Sequence, residues 1–313
     1  MPDGPRLPAG AQGTQWFSHA VGGLNILSPL RLPALPAGDG PADLTIRIVR
    51  TGAPPDIQGE ATRGPNWAVG GDAWLVQPPL GGRLHLRAGR ALTVWGRTAA
   101  QIDEALDFIP GAALSAALLY RDRLPLHAGA VSVGERAILV HGASGRGKST
   151  LLAALMKAGG VVVADDLCAP EPGPDGPVLR PVFPALRLLP DAADALALRG
   201  APTADGKVRL PIPAGLSPEP VRIGAVVLLT GRQPGSGSIK RLPPALAVPM
   251  LLSHVTGLSV APLLGSRRDL LASVADLCAA VPVFSVSAPD GLDRLPGFAA
   301  HLAAMAGGAA PCP

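Results

Sequence analysis

Gly142-Ala143-Ser144-Gly145-Arg146-Gly147-Lys148-Ser149 spells the phosphate-loop pattern G-x-x-x-x-G-K-[ST]. The stretch before it, Arg136-Ala-Ile-Leu-Val-His141, reads as a short buried strand. Residues 150–157 after it read as a helix, closed by Gly159-Gly160 at its C-terminal end. Strand, glycine loop and helix in that order is the context the motif requires. Glycines let the backbone fold tightly enough to aim several N–H groups at one phosphate. The helix N-terminus adds its partial positive charge. Lys148 can reach the β- and γ-phosphates of a nucleotide, and the Ser149 hydroxyl can ligate Mg²⁺. A glycine-rich β–α turn with a merely solvated lysine would read the same way.

Working outward, the 313 residues suggest two domains, each able to bury a core. Hydrophobic residues make up 48% but aromatics only 3%, so that core must rest on Ala, Leu and Val. A net charge of +4 is small for this length, and no Lys/Arg run exceeds two residues, which gives no case for a nucleic-acid partner. Mean hydropathy is positive at +0.32, yet no stretch of 18 apolar residues exists, so no membrane association is expected. The first residues, Met1-Pro-Asp-Gly-Pro-Arg6, have no apolar h-region, and a signal peptide is not expected. Cys168, Cys278 and Cys312 are far apart and odd in number, which fits a reduced, cytoplasmic compartment.

Residues 1–40 are rich in Pro and Gly, with Trp16-Phe17 as the strong apolar anchor. Residues 44–49, 73–76, 83–87 and 91–95 read as strands, so residues 1–110 are expected to form a small β-rich N-terminal domain of unknown role. Between residues 98 and 120 the period becomes helical, with Pro110 as an interruption. From residue 124 onward short apolar strands alternate with helices, the pattern of a β/α layer, and residues 111–306 are expected to form the second domain. Strands are expected at 225–229 and 281–286, helices near 246–257 and 269–280, and a disordered tail at 307–313.

Two further features bear on the phosphate loop. Val161-Val-Val-Ala164 reads as a buried strand ending in Asp165-Asp166. Ligands of α/β sheets sit at the carboxyl ends of strands, so both carboxylates would face the nucleotide if this strand neighbours the phosphate-loop strand. One could then hold Mg²⁺ and the other take a proton from an attacking hydroxyl. The pair would equally serve to cap a turn. The second feature is Leu126-His127-Ala128-Gly129, just ahead of a strand at 130–133.

Together these three features resemble the catalytic domain of the HPr serine kinase/phosphorylase family. His127 lies 21 residues before Lys148, and Asp165 and Asp166 lie 17 and 18 after it, a spacing that looks the same as in the family. The resemblance covers roughly residues 122–190. It implies an α/β phosphate-loop kinase domain of the phosphoenolpyruvate-carboxykinase-like type. It further implies that Gly142, Ala143, Ser144, Gly145, Arg146, Gly147, Lys148, Ser149 and Thr150 bind ATP. Ser149 and Asp165 would ligate Mg²⁺, and Lys148 would balance charge on the transferred phosphoryl group. Asp166 would act as acid/base, oriented and tuned by Asp165 and His127. The implied reaction is transfer of the γ-phosphate of ATP to a serine of a small protein or peptide, an HPr-like protein or a ribosomal-peptide precursor. A homo-oligomer is also implied.

The chain departs from the family at two points. Where the family has a second Mg²⁺ ligand, a glutamate, this sequence has Pro184-Ala-Leu-Arg-Leu-Leu-Pro190-Asp191, and the glutamate is missing, with Asp191 the nearest carboxylate. The family's Pro-Gly-Arg-Asn segment has only a distant echo in Leu264-Gly-Ser-Arg267-Arg268-Asp269. The reverse phosphorylase reaction is therefore not expected. The alternatives to a serine kinase are a non-catalytic ATP-binding sensor or adaptor and a small-molecule kinase on the same fold.

Overall fold

The computed structural model describes residues 15–31, 35–143, 145–182, 186–203, 206–210, 219–265 and 269–306. The expected tail at 307–313, Ser144, Arg267 and Arg268 lie outside these residues. The chain divides into two compact units, Met1–Pro125 with Thr256–Arg268, and Leu126–Val255 with Asp269–Pro313. The sequence reading places the division at residue 110. In the structure the helices that follow residue 98 stay with the first unit, and a segment from late in the chain joins it.

The first unit is built on a mixed eight-stranded sheet. Its strands are β1 (Phe17–Val21), β2 (Leu24–Ser28), β3 (Leu44–Val49), β4 (Thr62–Arg63), β5 (Trp67–Gly70), β6 (Ala73–Val76), β7 (Arg83–Arg87) and β8 (Ala91–Trp95). Their order is β1-β2-β3-β8-β7-β6-β5-β4. Four of these strands match expected ones; β1, β2, β4 and β5 do not. Gly22 and Gly23 both take positive φ, 54° and 74°, which turns β1 back onto β2 as a tight hairpin. Helix α1 (Ala99–Asp107) starts with a capping box between Thr98 and Gln101 and buries Ile102 and Ala105. Pro110 does not break the helical run. Residues Ile109–Ala113 widen to a π-turn, which leads into α2 (Leu114–Leu119). A widened turn accommodates the proline's missing N–H without ending the helix.

The second unit carries the site. Its strands are β9 (Ala128–Val133), β10 (Arg136–Gly142), β11 (Val161–Ala164), β12 (Val178–Leu179), β13 (Arg187–Leu188), β14 (Ala201–Pro202), β15 (Val208–Arg209), β16 (Val221–Gln233), β17 (Ser238–Arg241) and β18 (Val283–Pro289). Its helices are α3 (Lys148–Lys157), α4 (Pro190–Ala195), α5 (Pro244–Leu252), α6 (Leu270–Ala280) and α7 (Leu295–Ala306). The main sheet runs β11-β9-β10-β16-β18-β17, with β12 paired on β16, and β13, β15 and β14 make a small separate sheet. β10, β16 and β18 are parallel. β9 is antiparallel to both β10 and β11, so β10 and β11 also point the same way. The carboxyl ends of β10, β11, β16 and β18 therefore meet at one edge of the sheet.

This corrects one expectation. β11 is not the neighbour of β10, because β9 lies between them. The arrangement serves the site nonetheless. An antiparallel β9 starts at the edge where β10 ends, since Ala128 pairs with His141. That start places His127 beside the phosphate loop.

One face of the sheet is covered by α3 and α7. Leu151, Leu155, Ala299 and Leu302 join Ile138, Val140, Val227 and Val286 in one buried cluster. Strand alternation then turns Leu139 and His141 to the opposite face. Helix α7 was not expected from the sequence. Pro296 and Gly297 in its first turn mask the pattern, although Pro is well tolerated there. Leu302 is fully buried. Leu302→Ala is expected to lower the unfolding free energy by about 2–5 kcal/mol, read as a lower urea midpoint with an unchanged slope.

Candidate functional site

The loop between β10 and α3 has the backbone its sequence demands. Gly145 and Gly147 sit at φ 79° and 94°, where a side chain would be strained. Gly147 is the N-cap of α3 and brings no side-chain acceptor. The first N–H groups of α3 are thus left to a ligand, with the helix dipole behind them. Ser149 and Thr150, in the first turn, are half-buried.

Lys148 is buried, at 8% exposure, and its Nζ donates to Oδ1 of Asp166 in an ion pair. Asp166 follows the end of β11 and adopts φ 64°, a left-handed conformation that Asp tolerates better than most residues. Burial alone would push its carboxyl up, but the charge and hydrogen bond of Lys148 outweigh that and hold it below the usual range. Asp165 stands in the opposite condition. Its side chain is buried, and Oδ1 has no hydrogen-bond partner. Burial first, and the charge of Asp166 second, push its carboxyl up to about 6. Two adjacent carboxylates have been driven apart by their surroundings, the pattern that separates acid, base and ligand roles in one site.

His127 closes the group. Its Nδ1–H donates to the carbonyl of Asp166 at 3.1 Å, which leaves Nε2 as the free lone pair. Burial, then the charge of Lys148, lower its pKa. Its own backbone is clamped on both sides. The His127 N–H donates to the carbonyl of His254 at 2.8 Å, and the His141 Nδ1–H donates to the His127 carbonyl at 3.1 Å. The His141 and His254 rings lie 5.4 Å apart, tilted at 45°.

The structure thus brings together Lys148, Asp165, Asp166 and His127, with Ser149 in the first turn of α3. Ser144 cannot be placed. Asp191 lies exposed in the first turn of α4, where a carboxylate suits the helix dipole. Among the described residues, no three or more His, Cys, Asp or Glu side chains gather as a metal cluster. Also among the described residues, no helix is long and apolar enough to cross a membrane.

Three side chains near the site escape the sequence reading. Arg187 in β13 acts electrostatically on both carboxylates. The guanidinium of Arg232, from the end of β16, lies 3.4 Å from where a Cβ on Gly147 would stand. It shares a small cavity with Arg146 and Thr150. An arginine 84 residues after the loop lysine carries no local signal; only the parallel pairing of β10 and β16 brings it there. His141 is the third. It reads as part of an apolar strand, yet it is a fully buried histidine whose Nε2 has no partner. Burial, then the neighbouring His254, lower its pKa to about 3.

His141 has a consequence for stability. An unfolded histidine takes up a proton below pH 6.5, whereas the buried one stays neutral down to about 3. The unfolded state binds more protons in that window, so stability is complete above it and falls as pH drops through it. At about 1.4 kcal/mol per unit, moving from pH 6.5 to pH 5 costs about 2 kcal/mol. His141→Asn keeps a donor near Nδ1 and removes the titration. Urea unfolding at pH 7.5 and pH 5 is expected to show a larger acid loss for the native chain than for the variant.

No protein-family model matches the chain, and no curated protein matches it by sequence. Among solved structures, it is similar to the Hpr(Ser) kinase/phosphatase from Coxiella burnetii. The identity is 12% and the TM-score 0.29, over 56% of this chain and 92% of that one.

Proposed function

We propose that the chain is an ATP- and Mg²⁺-dependent serine kinase that phosphorylates a small protein or peptide. The observation that carries this reading is the meeting of Lys148, Asp165-Asp166 and His127 at the mouth of a glycine loop. The residues fit a divalent cation. Asp165 offers a buried carboxylate oxygen without a hydrogen-bond partner, and Ser149 a hydroxyl in the first turn of α3. Mg²⁺ would supply charge neutralisation between the phosphates.

The remaining chemistry belongs to the chain. Loop and helix N–H groups seat the phosphates. Lys148 swings its hydrogen bond from Asp166 to the phosphoryl oxygens, which frees the Asp166 carboxylate. The acceptor serine Oγ attacks the γ-phosphorus, the bond to the ADP oxygen breaks, and the hydroxyl proton passes to Asp166. His127, through its bond to the Asp166 carbonyl, keeps that carboxylate aimed. Catalysis is then positioning and electrostatics.

The test is transfer from γ-labelled ATP with Mg²⁺ in lysate of the source cells. One labelled small protein or peptide, missing with Lys148→Ala and Asp166→Asn, supports the reading. ATP binding without any labelled acceptor replaces it with a nucleotide sensor. Labelled metabolites without a labelled polypeptide replace it with a small-molecule kinase.

A further inference from the structure

The edge of the second unit's sheet farthest from β11 holds a feature that the reaction above does not use. β17 ends the sheet, and among the described residues no strand pairs with its outer edge. Beside it lies a groove of about 580 Å³ between β17 and α7. Its floor is apolar, from Ile239, Phe298 and Met305, and its rim holds Arg294 and His301. Gly237 keeps it open at one end, since a Cβ there would stand 2.9 Å from the Phe298 ring.

Among the Lys, Arg, Asp and Glu side chains, the groove is lined by Arg294 alone, a cation. None of its lining residues is a carboxylate. Lys240 and Arg241 stand exposed on β17 itself. Arg294 reaches Asp293 at 4.0 Å, with both side chains more than half exposed, a pairing that water largely screens. Cations on an edge strand repel a basic strand and would have to be desolvated against a neutral one, which discourages promiscuous pairing. They attract an acidic one.

The groove also lies toward the same end of the sheet as the loop between β10 and α3. Ser238 pairs with Ser287 near the carboxyl end of β18, the edge where β10 ends as well. The first turn of α7 serves both places. Leu295 lines the small cavity with Arg146, Thr150 and Arg232, and Gly297 and Phe298 line the groove.

We propose that β17 and α7 form the docking groove for the acceptor, an extended acidic segment with one large apolar side chain. It adds to the sheet beyond β17 through backbone hydrogen bonds, and its apolar side chain sits on Ile239 and Phe298. This deepens the kinase reading and rests on it for the identity of the segment as acceptor. Binding itself needs no nucleotide, so the two stand or fall separately.

The experiment pans a random decapeptide library with a fixed central serine on the full chain, without ATP. Enrichment of Asp- and Glu-rich peptides with one large apolar residue is expected. A fluorescein-labelled peptide of that consensus should bind at least ten times more weakly to Ile239→Arg and to Arg294→Glu. Arg294 is exposed and Ile239 is partly buried against the core, so binding of a fluorescent ATP analogue at native affinity serves as the check that each variant is folded. Recovery of neutral or basic peptides, no enrichment, or affinity indifferent to both substitutions overturns the proposal. So does self-association in sedimentation that Ile239→Arg dissolves, which would assign the edge to a second copy of the chain. If acidic peptides bind but accept no phosphate under any condition, docking stands and the kinase reading falls. If the native acceptor is phosphorylated equally fast by both variants, the kinase reading stands and the groove is not its docking site.

Discussion

Asp166→Asn should lower phosphate transfer by about 10²–10⁴-fold and leave the affinity for ATP within a few-fold of the native chain. Asn has the same shape as Asp and tolerates the left-handed φ of 64° at this position. Its amide oxygen can still accept from Lys148, so the loop and α3 keep their places. What is lost is a group able to take the serine proton. An alanine here would confound the result by straining the backbone. Single-turnover transfer and equilibrium binding, measured on the same preparation, separate the two effects. A variant with more than about a third of native activity would remove Asp166 from the proton-transfer role. Asp165, already pushed up to about 6, would then be the group to test. The substitution has a second readout. Part of the upward push on Asp165 comes from the Asp166 charge, so its carboxyl should titrate lower in the variant, visible by NMR.

Lys148→Ala should damage both binding and chemistry. A hydrogen bond to a charged group contributes about 1.5–3 kcal/mol, so ATP affinity should fall by about 10–150-fold. Transfer should fall further, because the lysine also balances charge that grows in the transition state. The empty protein should change too. Lys148 is the cation paired with Asp166 and a charge that lowers Asp165. Without it only Arg187 and His127 offset the repulsion between the two adjacent carboxylates, and the variant should melt earlier. The deficit should shrink as pH falls from 7.5 toward about 6, because without the lysine's charge Asp165 takes up its proton above the native value of about 6 and the repulsion ends. Thermal melting at pH 7.5 and pH 5.5 checks this. A deficit that grows on acidification would mean that Lys148 does not stabilise the carboxylate pair.

Much of this site was legible in the chain because its logic is local. The loop motif needs glycines at fixed steps between a strand and a helix, and a sequence displays those steps directly. The positions of His127 and Asp165-Asp166 relative to Lys148 were readable as spacing. What they do to one another was not. The separation of the two carboxylates depends on burial and on the reach of one lysine, and neither is a property of spacing. Likewise the hairpin of β1 and β2 hid in a Gly- and Pro-rich stretch, because a two-glycine turn and a disordered linker share a composition. Helix α7 hid behind Pro296 and Gly297, because its helical character comes from burying Phe298, Ala299 and Leu302 against the sheet.

The sequence by itself determined the glycine loop, the strand and helix around it, the carboxylate pair at a strand end and the mixed α/β character of the chain. Each of these is encoded in residues close together along the backbone. Tertiary structure alone decided that β9 lies between the two site strands, that His141 and His254 clamp His127, and that Arg232 stands beside Gly147. It also placed the basic groove of β17 and α7 at the same edge of the sheet. Such placements follow from how distant strands pair and which faces they bury, and those choices are made by the whole core at once.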